Sequence, residues 1–490
     1  MGEQILNDLS LFQPELILTI TLLFAIVTDL MFHRTATVVV AVCMIGLIAA
    51  GVLVIGEANF HASIFSGMIA VDPFAFFFKL VIVVSALLVM VFSLQSRELN
   101  SRGRKLGEYY FLLIALTLGM MLMTGASNML MMYLAMELSS LTSYILSGYT
   151  KEAPDSSEAS LKYVIYGAVS SGLMIYGMSV IYGLTGSLDL YTINAALPNV
   201  LAQGGSHSFL LLIAGILVLA GLGYKIAAVP FHFWSPDVYE GAPITITAFL
   251  AVASKAGGFA MLIRFFKVAF IDTRAAALPV GTWATLQGFD WYHIVALLSV
   301  VTMTVGNLVA IWQNNLKRLL AYSSIAHAGY MLMGVVVLSN EGLAAILVYF
   351  VVYLFMNLGA FYSVMLIANK TGSEDIEDYK GLGSRTPFLA VSLAIFLISL
   401  TGLPPTAGFI GKLYLFAALI NGGWVWLAIV GALNSVLALY YYVRIIRNMF
   451  LRGDEKPGAE ITFGWPQIAT VLVLLVPTLV LGLYFSPLSE

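Results

Sequence analysis

Long apolar runs separated by short polar or glycine- and proline-bearing stretches recur along the whole chain. A helix needs about 20 apolar residues to cross the hydrocarbon core of a bilayer. Runs of that kind fall at 14–32, 37–56, 73–95, 108–124, 127–149, 159–185, 208–235, 243–266, 293–313, 320–338, 342–368, 386–420, 424–446 and 465–485. The pattern predicts fourteen membrane-spanning helices. Two of them are interrupted: span 7 at Pro230, in "GLGYKIAAVPFHFWSPDVYEGAP", and span 12 at Pro404 and Pro405, in "SLTGLPPTAGFIGKLYLF". Proline lacks the N–H a helix interior needs and clashes with the preceding turn, so each run must break there.

Each break has a lysine beside it, Lys225 before the first and Lys412 after the second. If spans 4–8 form one unit and spans 9–13 another, the broken helix is the fourth of each. An odd number of crossings per unit gives the two units opposite orientation. Inverted units with interrupted helices at matching places point to an ion path near the midplane, where freed backbone groups can face a wet cavity. The expected organisation is an all-α polytopic membrane protein. An N-terminal three-helix segment covers 1–107, a first five-helix unit 108–270, a second, inverted unit 290–450, and a C-terminal helix 451–490.

Composition agrees: 60% of the 490 residues are hydrophobic and 10% charged, with a mean hydropathy of +0.94. A net charge of -3 without a basic face excludes a nucleic-acid partner. The single cysteine, Cys43, can build neither a disulfide nor a thiolate-bound cluster, so any electrons travel elsewhere. The acidic start "MGEQILNDLS" followed by a full-length run reads as a retained first helix rather than a cleaved signal peptide.

Positive charge accumulates in cytoplasmic loops. Arg34, Arg97, Arg102, Arg104, Lys105, Lys151, Lys317, Arg318, Lys370, Lys380, Arg385, Arg444, Arg447, Arg452 and Lys456 all fall at odd-numbered loops. Arg264, Lys267 and Arg274, around loop 8, are the exceptions. Both termini are therefore expected on the non-cytoplasmic side.

Five of twelve lysines lie inside spans, against two of eleven arginines, Arg264 and Arg444, both within three residues of a span end. Arginine stays protonated in proteins whereas lysine can release its proton, so the bias favours proton handling over static pairing. Glu137 lies mid-span with no neutralising charge on its own helix, and an acid at that depth expects a lysine from another helix. Lys225 and Lys255 are too deep to reach the interface, and Lys412 sits in the second half of a broken helix. His327, among small residues of span 10, suits a relay between lysines or a hydrogen-bonded core position. Depth leaves Lys162 open between snorkelling and a buried role. His232, Asp237 and Glu240 come after Pro230 and suggest an entry path. Lys79 is expected to snorkel outward, Lys317 and Arg318 to act as topological anchors, and 373–387 to be a solvated loop. The methionines from Met120 to Met136 read as packing rather than a metal site; no metal is expected.

The stretches "GLGYKIAAVPFHFWSPDVYEGAP", "ASKAGG", "NLKRLLAYSSIAHAGYMLMG" and "GLPPTAGFIGKLYLF", in this order, resemble the antiporter-like membrane subunits of respiratory complex I, the proton-pumping NADH:quinone oxidoreductase. The M-type of these usually has a glutamate where Lys412 stands, and the L-type carries a long lateral helix after its last span. The resemblance implies a translocase subunit in which Glu137 pairs with Lys162 and Lys225, while Lys255, His327 and Lys412 continue a polar axis. It places NADH, FMN, iron–sulfur clusters and quinone in partner subunits, with no cofactor in this chain. It also implies an M-type antiporter-like subunit, small K-, J- and A-type subunits and lipid as neighbours, in a bacterial inner membrane. The rival reading is a cation/proton antiporter subunit of the multi-subunit Na⁺/H⁺ exchanger type, or the membrane subunit of a related hydrogenase. A third makes the chain a spacer whose lysines only hold helices together.

Overall fold

The computed structural model describes residues 2–31, 36–100, 106–272, 279–286, 289–452 and 460–486. Arg34, Arg102, Arg104, Lys105, Arg274 and Lys456 lie outside the described residues. Among those described, thirteen helices are long and apolar enough to cross a membrane. Spans 1–7 are Gln13–Met31, Ala36–Gly56, Pro73–Gln95, Gly107–Gly125, Met129–Ser147, Pro154–Thr185 and Gly205–Ile226. Spans 8–11 are Ile244–Ala269, Trp291–Ala310, Leu316–Val336 and Asn340–Thr371, and Val425–Leu451 and Trp465–Leu483 are spans 13 and 14. The predicted span 12 is present as two apolar half-helices, Pro387–Thr401 and Ala407–Asn421.

Both breaks have the same construction. The first helix of each pair ends on a left-handed residue, Ala227 (φ 57°) and Gly402 (φ 87°), whose N–H turns back onto the preceding helical carbonyls. The peptide bonds before Pro230 and Pro405 are both cis. After the first break a short helix, Trp234–Gly241, leads into span 8.

Spans 6 and 11 are each 32 residues long and end in matched corners. Gly186 (φ 71°) and Gly372 (φ 74°) cap them, within the similar strings "TGSLD" and "TGSED". The loop after span 6 accepts a hydrogen bond at Leu188 O from Met129 N, the start of span 5, at 2.8 Å; Glu374 O accepts from Leu316 N, the start of span 10, at 2.9 Å. Local capping chemistry thus fixes the same helix pairing twice.

Spans 8 and 10 are the most enclosed, so the centre of the core is built from the helices that carry Lys255 and His327. Span 8 contains a π turn, Leu250–Ser254, immediately before Lys255. Such a turn frees backbone groups and re-aims the side chains beyond it. No proline or glycine signals it in the sequence.

One outer-end lysine differs from expectation. Lys79 does not snorkel: it is 1% exposed and pairs with Glu15 at 2.6 Å and Glu57 at 2.9 Å. Those acids come from span 1 and from just past the end of span 2, so span 3 alone could not reveal them. Arg264 joins the N-terminus of span 3, through two 2.9 Å hydrogen bonds to Asp72, to the end of span 4, through one to Thr124 O. Burial pushes the Asp72 carboxyl up, but the Arg264 hydrogen bonds and charge outweigh it and hold it below the usual carboxylate value.

Candidate functional site

Lys255 begins the α-helical part of span 8 after the π turn, and its ammonium donates to Ile226 O at 3.0 Å and Ser324 O at 2.8 Å. Ile226 is the last helical residue before the first break. Lys412 donates to Thr401 O at 2.7 Å, the last helical residue before the second break. It also donates to Ser435 Oγ at 3.0 Å and lies 4.4 Å from the Tyr330 ring centroid. The last carbonyls of a helix lack internal partners and carry the negative end of its dipole. Each broken helix therefore offers a ready acceptor for an ammonium.

Lys225 stands in the last turn of the first of these helices and reaches Ser140 Oγ at 3.4 Å. Glu137 is the acid whose charge acts on it. One oxygen of Glu137 is buried with no hydrogen-bond partner. The two are coupled through space, without a direct bond.

His327 feels the charges of both Lys255 and Lys412. Its Nδ1 is 2.7 Å from Tyr349 Oη and its Nε2 3.5 Å from Tyr442 Oη. Tyr442 in turn bonds Ser323. Tyr353 donates to Ser324 Oγ at 3.0 Å, beside the carbonyl that holds Lys255. Ser435, bonded to Lys412, donates to Tyr330 Oη at 3.4 Å. A file of hydroxyls, linked in separate hydrogen-bonded sets rather than one chain, thus flanks the ionisable groups, all enclosed: Lys225, Lys255, His327 and Lys412 are 2%, 1%, 2% and 4% exposed. The sequence pattern alone did not single out Tyr330, Tyr349, Tyr353, Tyr442, Ser324 or Ser435. The available signal was "YFVVY" in span 11, two tyrosines one helical turn apart and hence on one face.

Lys162 is placed elsewhere. Its side chain is 37% exposed and pairs with Glu158 at 2.7 Å and Asp237 at 2.6 Å, which corrects the expected pairing with Glu137. Span 6 begins at Pro154, so Lys162 sits about two turns in, and helical side chains lean toward the N-terminus, where both acids are. Arg318 binds Asp237 at 2.6 Å and Glu240 at 2.7 Å. These five groups line a cleft of about 250 Å³. Burial pushes the Asp237 carboxyl up, yet the hydrogen bonds and charges of Lys162 and Arg318 hold it below its usual value. Lys317 is buried and bonds Ala242 O and Glu374, both at 3.1 Å. Lys317 and Arg318 therefore do more than anchor topology. His232 lies buried at the break near Pro230, with Nδ1 unpartnered. Among the described residues no three His, Cys, Asp or Glu are grouped to hold a metal.

Comparison with known proteins bears on this arrangement. A family described as "NADH:quinone oxidoreductase/Mrp antiporter, TM" matches residues 126–438. The chain is 51% identical over 488 residues to "NADH-quinone oxidoreductase subunit N 2" of Chloroherpeton thalassium, covering 98% of this chain and 93% of that one. Among solved structures it is similar to a chain of respiratory complex I from Thermus thermophilus, with a TM-score of 0.78, 31% identity and coverage of 97% and 99%. A chain of the Mrp complex from Dietzia also has a TM-score of 0.78, but at 22% identity over 97% and 95% that likeness shows the fold alone.

Proposed function

The chain belongs to the NADH:quinone oxidoreductase/Mrp antiporter family, among the N-type membrane subunits of proton-pumping NADH:quinone oxidoreductase, and from that premise we propose that protons cross it along Glu137, Lys225, Lys255, His327 and Lys412. It is a multi-pass membrane subunit of a translocase, and the redox cofactors of that complex sit in other subunits.

The observation that carries the proposed route is the way Lys255 and Lys412 are held. Each ammonium rests on a helix-end carbonyl and not on a carboxylate. A lysine bound so can lose its proton without leaving an unpaired anion in the core. Lys225 loads first, its affinity set by Glu137; a charge change arriving from a neighbouring subunit alters that coupling and sends the proton toward Lys255 and Lys412. A neighbouring opposite charge is worth roughly 1.4–4 kcal/mol to a proton's affinity. Moving one charge across about 100 mV costs about 2.3 kcal/mol. One coupled pair is therefore enough to offset one transfer.

Asp237, Glu240, Lys162 and His232 form the entry in this reading, with both termini on the opposite, non-cytoplasmic side. Residues 108–270 and 290–450 act as two inverted units, flanked by 1–107 and 451–490. The M-type, K-, J- and A-type subunits are the proposed neighbours in a bacterial inner membrane, and no cofactor is assigned to this chain.

The test is the rates of proton translocation and quinone reduction in the assembled complex carrying Lys225→Ala or Lys225→Arg. Both variants should lower pumping and, through coupling, quinone reduction. Wild-type rates of both in both variants would overturn the route, and tolerance of arginine alone would reduce Lys225 to a structural charge. Flavin and iron–sulfur subunits should co-purify with the chain; cation/proton antiporter subunits in their place would favour the rival.

A further inference from the structure

The N-terminal three-helix segment holds an ionic cluster that the proposed axis does not use. Glu15 lies in the first turn of span 1, Glu57 one residue beyond the end of span 2, and Lys79 about two turns into span 3. The three are 1%, 3% and 1% exposed. Lys79 Nζ lies 2.6 Å from Glu15 Oε1 and 2.9 Å from Glu57 Oε2. The other oxygen of each acid, Glu15 Oε2 and Glu57 Oε1, is buried and has no hydrogen-bond partner.

Two carboxylates around one ammonium leave a net negative charge in a site closed to water. A buried charge without a partner is strongly disfavoured, and two carboxylates sharing a site hold a proton between them. Among the described residues, no second cation pairs with either acid. Asp72, the N-cap of span 3, is already matched by the bidentate Arg264. Asp8, on the short helix before span 1, accepts from Phe65 N. The deficit must be met within the cluster, and the two bare oxygens are where a proton would sit.

We propose that Glu15, Glu57 and Lys79 form a second proton-binding site, in the N-terminal segment, that holds one exchangeable proton on its carboxyl pair. Consistent with this, Glu57 is pushed up to about 7: burial is the main cause, the Lys79 ammonium opposes it, and the Glu15 carboxylate adds to it. Its ligand is a hydron, and its place beside the mouth of span 2 separates it from the central axis. The proposal does not depend on that axis carrying protons.

The test is infrared difference spectroscopy of the purified complex, wild type against Glu57→Gln and Glu15→Gln. At neutral pH the wild type should show a protonated-acid C=O band, shifted in D2O, that each variant loses. Glu57→Gln removes a proton carrier, and Glu15→Gln leaves Glu57 as sole counterion of Lys79, so that it ionises. The wild-type band should also fade as pH rises through the neutral range. If both variants lose only carboxylate bands, both acids are ionised and the proposal fails. Glutamine is nearly isosteric with a protonated glutamate, so failure of Glu57→Gln to assemble would likewise count against it.

Discussion

Tyr349→Phe removes one oxygen atom from the core and tests whether the hydroxyl file matters. Tyr349 Oη is the close partner of His327, at 2.7 Å from Nδ1, while the contact on the other ring nitrogen, to Tyr442, is 3.5 Å long. Both rings are enclosed, so no water replaces the lost hydroxyl without repacking. Leaving a buried polar group unpaired costs about 1–3 kcal/mol. If that cost falls on the state in which His327 passes a proton, the step slows roughly 5- to 150-fold. The assay is NADH oxidation by the complex in sealed vesicles, with proton translocation tracked by a pH-sensitive dye. The rate and the proton-to-electron ratio should fall in parallel. Tyr362→Phe is the matched control: its hydroxyl is also enclosed but bonds Gln95, away from the axis. If Tyr349→Phe assembles and pumps like wild type, His327 does not relay through that hydroxyl and the reasoning about the file is wrong.

Three further outcomes are expected. Gly402→Ala puts a Cβ 2.6 Å from Lys412 Cδ at φ 87°, costing about 1–2 kcal/mol of backbone strain and displacing the ammonium; pumping should drop, whereas Gly372→Ala, at φ 74° with open space around it, should lower only the melting temperature. Tyr330→Leu removes the ring under Lys412, worth about 1–2 kcal/mol, and should slow turnover more than Tyr330→Phe, which keeps the ring and loses the hydroxyl. Asp237 is held below its usual value, so its contribution to stability is complete above the ordinary aspartate range and is lost as pH falls through its folded value. The melting-temperature gap between wild type and Asp237→Asn should therefore be widest near neutrality and close in acid, with a stability difference of no more than about 1 kcal/mol because the group is partly exposed.

Local features were the ones legible in the sequence. Run length marks a span and proline marks a break, so the spans and both interruptions could be read directly. Lys225, Lys255, His327 and Lys412 stood out because charge in an apolar run is costly. Their partners did not stand out. Tyr349 and Tyr353 are at home in any apolar helix, and only the fold turns their hydroxyls onto His327 and Ser324. Lys162 finds Asp237 across 75 residues of chain, a meeting no window on span 6 contains. Lys79 looked like an interfacial residue because it follows Asp72 and Pro73 closely, and its partners Glu15 and Glu57 come from elsewhere in the chain. The π turn before Lys255 holds no proline or glycine to mark it in the sequence.

A file of hydroxyls has a polarity. Each O–H both donates and accepts, and a proton passes by exchanging which bond is which. On the proposed route, a hydroxyl that passes a proton, such as that of Tyr349 beside His327, is left with its O–H turned round, and the next proton in the same direction waits until it has rotated back. Rotation about the C–O bond needs no repacking of the ring, so this reset can be timed independently of the charge movement that starts each stroke.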